Sequence, residues 1–404
     1  MSLENRLKIY RRLEQERGRP LIVFVTGDRK NAQAQLAGDS VRELLYQLQA
    51  LPKDTDDLDL LLVSLGGDPT VAWRLVSLIR ERVGKFNVLV PQAAYSAATL
   101  IALGADEIVM HPHGNLGPTD PQIVAPKRSK ADGTTDSIRF GSEDLGAFLR
   151  FAKNEVGLSD QEQLSNIFEK FCDEVGTVPI GVAARSSQLS LTMGEKLLQL
   201  HMTDENEKQK AKTIAQALTK DFFHHGYPVN RTEARQIGLK IASSNIKVEA
   251  LLWDIWCDIA DEMSLRDPFM PMKILHKNPA CADLFAPAPQ VNIPANLDPA
   301  VHQQAVKNVL AQIQVKLVPP SPYEKIQALM ESSRYASRYV TEGQIYGSRS
   351  PDLQFKISNV ELSQGWVTVP IPAEPSAKKA AKKKSKKKAK KKVAKKAASR
   401  KKKT

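Results

Sequence analysis

Residues 58–110, LDLLLVSLGGDPTVAWRLVSLIRERVGKFNVLVPQAAYSAATLIALGADEIVM, decide the fold. Leu58–Leu65 is a largely apolar run, broken by Asp59 and Ser64, that stops at Gly66-Gly67, the pattern of a buried strand. Asp68 is a good helix N-cap and Pro69 suits the first helical position. Val71, Ala72, Leu75, Val76, Ile79 and Val83 then recur at helical spacing until Gly84. FNVLV (86–90) predicts another strand, Ala93–Gly104 a turn and a helix of small residues, and Glu107–Met110 a further short strand. Upstream, LIVFVT (21–26) reads as the first strand, and Val41, Leu44, Leu45, Leu48 and Leu51 as a helix capped by Asp39 or Ser40. Strands alternating with helices at this spacing predict an α/β fold with parallel pairing and right-handed crossovers.

Outside this core the signals weaken. Residues 3–17 favour a helix whose thin stripe of Leu3, Leu7, Tyr10 and Leu13 predicts an exposed leading element ended by Pro20. Residues 111–145 look loop-like, and helices are expected near 143–156, 160–174, 182–200 and 205–221. Residues 228–240 predict a capped helix that stops at Gly238. From about residue 265 prolines interrupt the pattern. One helix near 299–314 and two strands within 353–369 are the expectations in a region, 263–370, that otherwise reads as an irregular extension.

Charge divides the chain sharply. Lys378–Lys403 holds 17 Lys and Arg and no acid, so a net charge of +13 becomes −4 once that segment is set aside. A basic folded body is thereby excluded. The lysine/alanine segment has no apolar stripe, and its like charges repel at helical spacing. Residues 371–404 are expected to be a disordered tail that binds nucleic acid or another polyanion without reading sequence. Cys172, Cys257 and Cys281 are odd in number and far apart, which gives neither a disulfide framework nor a zinc knuckle. MSLENRLKIYRRLEQERGRP lacks a signal-peptide core, and Ala93–Ala105 is too short to span a bilayer. A cytoplasmic protein with no membrane span is expected.

Two places can carry chemistry. A strand that ends in Gly66-Gly67 and turns into a capped helix presents backbone N–H groups that a ligand can approach closely, as an oxyanion hole requires. A plain strand-to-helix turn is the alternative. Ser96, within Ala94-Tyr95-Ser96-Ala97-Ala98, opens a helix among small neighbours that leave room for a bound carbonyl. Its alternative is an ordinary helix N-cap. His111-Pro112-His113 lacks a third ligand and reads as a turn. No Walker loop or GxGxxG is present, so no metal, nucleotide or other cofactor is expected.

The order of these features resembles the Clp-protease and signal-peptide-peptidase branch of the crotonase-like superfamily. The closest likeness is to the serine dehydrogenase proteinases. SLGGDPTVAWRLVSLIRERV, AAYSAATLIALGADEIVMHPHGNLGPTDPQ and HHGYPVNRTEARQIGL (224–239) carry it. The resemblance implies a Clp/crotonase-like domain over 20–262, between a leading helix (1–19) and the extension. It implies Ser96 as nucleophile, and backbone N–H groups of Gly67, with its neighbour Gly66, and of Ala97 as the oxyanion hole. It also implies a peptide or protein substrate and a homo-oligomer, for which the leading helix and residues 265–370 are candidate assembly or access elements.

The base departs from the pattern. Where the family's Ser-His-Asp triad places histidine, GPTDPQ offers Thr119 and Asp120. His224 and His225 fall where the triad's acid would be, and His225 is taken as the base. A lysine, as in signal peptide peptidases, is the other option, with Lys127, Lys130 and Lys170 as candidates. Without a working base the alternative function is an inactive scaffold of the same fold, tethered to nucleic acid by its tail.

Overall fold

The computed structural model describes residues 3–128, 135–222, 224–243, 245–287, 294, 296, 298–312, 316–350 and 354–372. The described residues up to Val369 form one compact unit; Lys378–Lys403 lie outside the described residues.

The chain runs α1 (Leu3–Arg17), β1 (Leu21–Thr26), α2 (Ser40–Gln49), β2 (Asp57–Val63), α3 (Pro69–Arg82), β3 (Lys85–Val90), β4 (Ala93–Ala94), α4 (Ala97–Leu103) and β5 (Glu107–Met110). Strands β1, β2, β3 and β5 pair in parallel, as their spacing predicts. Their side chains are buried almost throughout, because helices cover the sheet. Asp68 caps α3 by accepting from the Thr70 N–H at 2.8 Å, with Pro69 behind it.

Next come β6 (Asn115–Leu116), β7 (Ile123–Arg128), β8 (Thr135–Phe140), α5 (Ser142–Asn154), α6 (Gln161–Val175), α7 (Thr177–Gln199) and α8 (Glu205–Lys220). The stretch expected to be loop is therefore partly strand: β7 and β8 form an antiparallel hairpin. Ala125 and Phe140 on this hairpin bury against Val175 and Ala183, a small core built too far along the chain for local periodicity to reveal. After α8 follow β9 (Val229–Asn230), α9 (Arg231–Gln236) and α10 (Ile246–Glu262). Asn230 caps α9 by accepting from the Thr232 and Glu233 N–H groups, and Gly238 adopts φ +99° just after the helix.

The region that reads as irregular contains α11 (Pro271–Lys277), a 3-10 turn (Pro279–Phe285), α12 (Pro299–Gln312), β10 (Lys316–Leu317), β11 (Ser321–Ser332), β12 (Ala336–Arg349) and β13 (Phe355–Thr368). It is not a loose extension. Strand β11 pairs antiparallel with β1, from Ile22↔Ser332 to Thr26↔Ala328, and extends the parallel strands into one eight-stranded sheet. A single strand, β13, replaces the two expected in 353–369.

Helix α1 departs from the exposed element its sequence suggests. Its stripe of Leu3, Leu7, Tyr10 and Leu13 is buried, and α10 packs against it. At the centre lies Arg6, fully buried. It donates to both carboxylate oxygens of Glu331 on β11, at 2.8 and 2.9 Å, and to Asp258 on α10 at 2.5 Å. The Tyr10 hydroxyl donates to the same Glu331 at 2.9 Å. Among the described residues no helix is long and apolar enough to cross a membrane.

Candidate active site

A second, three-stranded sheet builds the site. Strands β4 and β6 pair in parallel through Ala94↔Leu116, and β6 and β9 antiparallel through Leu116↔Val229. Each of these two-residue strands delivers one polar side chain to the same end. Ser96 follows β4, Asp120 follows β6, and His225 precedes β9. Thr99, fully buried on α4, ties the layers together. Its hydroxyl lies 2.7 Å from the Ala94 carbonyl oxygen and 2.8 Å from that of Gly117, and it accepts from the Gly117 N–H.

Ser96 adopts φ 53°, ψ −118° at the strand-to-helix turn, a conformation that costs a residue with a side chain of order 1–3 kcal/mol. Strain of this kind is how a nucleophile elbow exposes its hydroxyl. The hydroxyl does not cap α4, which removes the simplest structural reason for a serine there. Gly66 makes the turn possible. A methyl group on it would stand 2.7 Å from the Ser96 Cβ, and its φ is +107°. Its own N–H is engaged, donating to the Ser64 hydroxyl at 3.1 Å. Gly67, at φ +150°, packs so tightly on Leu36 that a methyl would lie 2.3 Å from the Leu36 carbonyl oxygen. The Gly67 and Ala97 N–H groups have no hydrogen-bond partner among the described residues.

The His225 Nδ1 and the Asp120 Oδ1 are 2.9 Å apart. The other Asp120 oxygen accepts from the Gln122 amide at 3.0 Å, so both carboxylate oxygens are held. The loop beneath is pinned as well. The Thr119 N–H donates to the Leu218 carbonyl at 2.8 Å, and the Thr119 and Thr219 hydroxyls are 3.1 Å apart. A carboxylate on Nδ1 fixes the tautomer that leaves Nε2 without its proton, as a general base requires. Burial pushes the neighbouring Tyr95 phenol above its ordinary value; its ring packs against Gly117.

Ser96, Gly67, Ala97, Thr119 and His225 line one cleft of about 440 Å³. His225 also lines an adjoining cleft of about 490 Å³, with Asp120, Lys220 and His224. His224 is turned to local use, its Nδ1 accepting from the Gly226 N–H at 3.0 Å. Lys170 is exposed on α6 and lines neither cleft, so it lacks the desolvation a lysine base needs. Lys130 and the Lys127 side chain lie outside the described residues. His111 stacks on Trp253, with ring centroids 5.1 Å apart, and no metal-holding group of His, Cys, Asp and Glu occurs among the described residues. Sequence reasoning passed over the contacts of Asp120 with His225 and Gln122. The available signal was the pair itself, an acid where the family has its histidine and a histidine where it has its acid.

Comparison with known proteins finds likenesses over parts of the chain. Residues 1–131 match the model of the family described as ClpP-like SDH-type serine proteinase. Two uncharacterized proteins of Methanocaldococcus jannaschii are similar to this chain. One is 24% identical over 284 residues, covering 68% of this chain and 86% of its own length. The other is 25% identical over 244 residues, covering 58% and 71%. Among solved structures, a mutant of the 1510-N membrane-bound stomatin-specific protease aligns over 56% of this chain and 82% of its own, with 15% identity and a TM-score of 0.31. A second mutant of that protease, in complex with a substrate peptide, aligns over 56% and 78%, with 15% identity and a TM-score of 0.30.

Proposed function

We propose that this protein is a serine peptidase whose triad is Ser96, His225 and Asp120, with the histidine and the acid exchanged between the two chain positions at which Clp proteases carry them. The observation that supports this most is the 2.9 Å contact of His225 with Asp120 in a cleft that also holds Ser96 and the free N–H of Gly67. His225 Nε2 takes the Ser96 proton as Oγ attacks the substrate carbonyl. The Gly67 and Ala97 N–H groups stabilise the oxyanion. The tetrahedral intermediate collapses, the C–N bond breaks, and the amine leaves with the proton from His225. Water then enters, gives a proton to His225 and attacks the acyl-serine ester; as the C–O bond breaks, His225 returns that proton to Ser96 Oγ and the acid product leaves. Asp120 holds the ring and stabilises the imidazolium, and Gln122 holds Asp120. Gly66 serves by its lack of a side chain rather than by its N–H. The enzyme works as a cytoplasmic homo-oligomer, and Lys378–Lys403 bind polyanions, with binding that falls steeply as salt rises.

The test is labelling of the intact protein by a fluorophosphonate, with the labelled residue mapped by mass spectrometry. One label on Ser96, absent in Ser96→Ala, is expected. An intact protein that takes no label sinks the proposal and favours the inactive scaffold.

A further inference from the structure

A third cavity, of about 190 Å³, opens where the C-terminal strands meet the segment that follows β1. Its walls include Tyr339 on β12, Trp366 on β13, Asp39 at the start of α2, and the amide side chains of Gln33, Gln35 and Gln364. The two aromatic rings stand 5.7 Å apart at 67°, so they form two walls at a steep angle to one another. The Trp366 indole N–H donates to Asp39 Oδ2 at 3.0 Å, which fixes a carboxylate at the rim of the aromatic surface. Asp39 makes no side-chain cap of α2, and among the described residues its carboxylate accepts from Trp366 alone.

No Lys, Arg or His lines this cavity among the described residues. Two cations on the adjoining strands are engaged elsewhere: Lys325 pairs with Glu361 at 2.8 Å, and Arg338 with Glu262. Burial, then Asp39, then Glu361 push the Tyr339 hydroxyl above its ordinary value, consistent with a negative local field. The half-charge at the α2 N-terminus opposes a cation, but a full carboxylate charge outweighs it. Aromatic faces beside a carboxylate, with no competing cation, are the chemistry that receives an ammonium or guanidinium. Gln35 lines both this cavity and the Ser96 cleft, so one extended peptide can reach the two.

We infer that the Tyr339–Trp366–Asp39 cavity binds a lysine or arginine side chain of a peptide whose neighbouring residues occupy the Ser96 cleft. The binding stands by itself; its use as a substrate subsite rests on the serine-peptidase reading. The probe is a short apolar peptide carrying one lysine, compared with the same peptide carrying norleucine, with binding to the Ser96→Ala protein followed by fluorescence anisotropy. The lysine peptide is expected to bind roughly tenfold more tightly, the scale of a cation held by an aromatic face and a carboxylate. Asp39→Asn, which keeps the shape of the side chain, and Trp366→Leu should each erase that difference. If Trp366→Leu does not fold, Asp39→Asn decides alone. Equal affinity for the two peptides, or a lysine preference that survives Asp39→Asn, overturns the inference. In the active protein the preference should appear in kcat/KM at one fixed distance from the cleaved bond. Absence of any cleavage would count against Ser96 chemistry while leaving the binding result to stand.

Discussion

The parallel and antiparallel halves of the main sheet are built from strands that carry very different amounts of information on their own. Strands β1, β2, β3 and β5 are short, mostly apolar and covered by helices. Strands β11, β12 and β13 are 12 to 14 residues long and mix Glu, Lys, Gln and Ser with apolar residues; β13 is exposed nearly throughout. The first kind announces itself, because burial on both faces selects a composition found in few other places. The second kind is defined by its partners. Glu331 is tolerable in a buried strand because Arg6, some 325 positions earlier, donates two hydrogen bonds to it and Tyr10 a third. The three-stranded layer falls between the two: its strands are two residues long, yet they bring positions 96, 120 and 225 to one end.

That contrast can be broken where the two halves differ most. In the three-stranded layer, Asp120→Asn should preserve the fold and lower kcat by about four orders of magnitude, because the amide favours the wrong histidine tautomer. Steady-state hydrolysis together with circular dichroism checks it. In the antiparallel half, Arg6→Met should leave the Ser96 cleft chemically intact but strand Glu331 and Asp258. Loss of one partner from a buried ionic cluster costs about 3–5 kcal/mol, to be read as a lower midpoint in urea unfolding. A full-strength Arg6→Met protein would mean that β11 does not depend on α1. Gln122→Ala removes one of two restraints on Asp120 and should lower kcat several-fold with KM nearly unchanged, the mark of a positioning residue.

The smallest effect concerns acid. Burial holds the His201 imidazole below its ordinary value, against the opposing contact of its Nε2 with the Leu103 carbonyl. The unfolded chain therefore takes up a proton before the folded one. Stability contributed by neutral His201 is complete above the ordinary histidine value and falls as pH drops through it towards the folded value. His201→Gln should flatten the acid limb of a stability–pH curve, and an unchanged limb would remove His201 from the account.

Much of the site was legible. Gly66, Gly67, Ser96 and Ala97 stand out because a strand end and a helix start impose local demands on residue type. His225 was legible as a candidate, whereas the choice between it and the lysines needed geometry. Lys170 shares its helix with apolar residues and still faces solvent. Asp120 was visible in GPTDPQ but had no local mark of its task, since a loop carboxylate looks the same whether it meets water or an imidazole. The hairpin β7–β8 was missed for a related reason. Its buried partners lie on α6 and α7, and strands such as IVAPKR and TDSIRF lack strict alternation.

The proposed chemistry depends on activation of the Ser96 hydroxyl by His225. The most direct measurement is the rate of fluorophosphonate labelling of Ser96 in the wild type and in His225→Ala, with both proteins shown to be folded. His225→Ala should lower the rate by several orders of magnitude while leaving the cleft's affinity for peptide in place. Labelling of His225→Ala at the wild-type rate would contradict it and return the search for the base to the lysines.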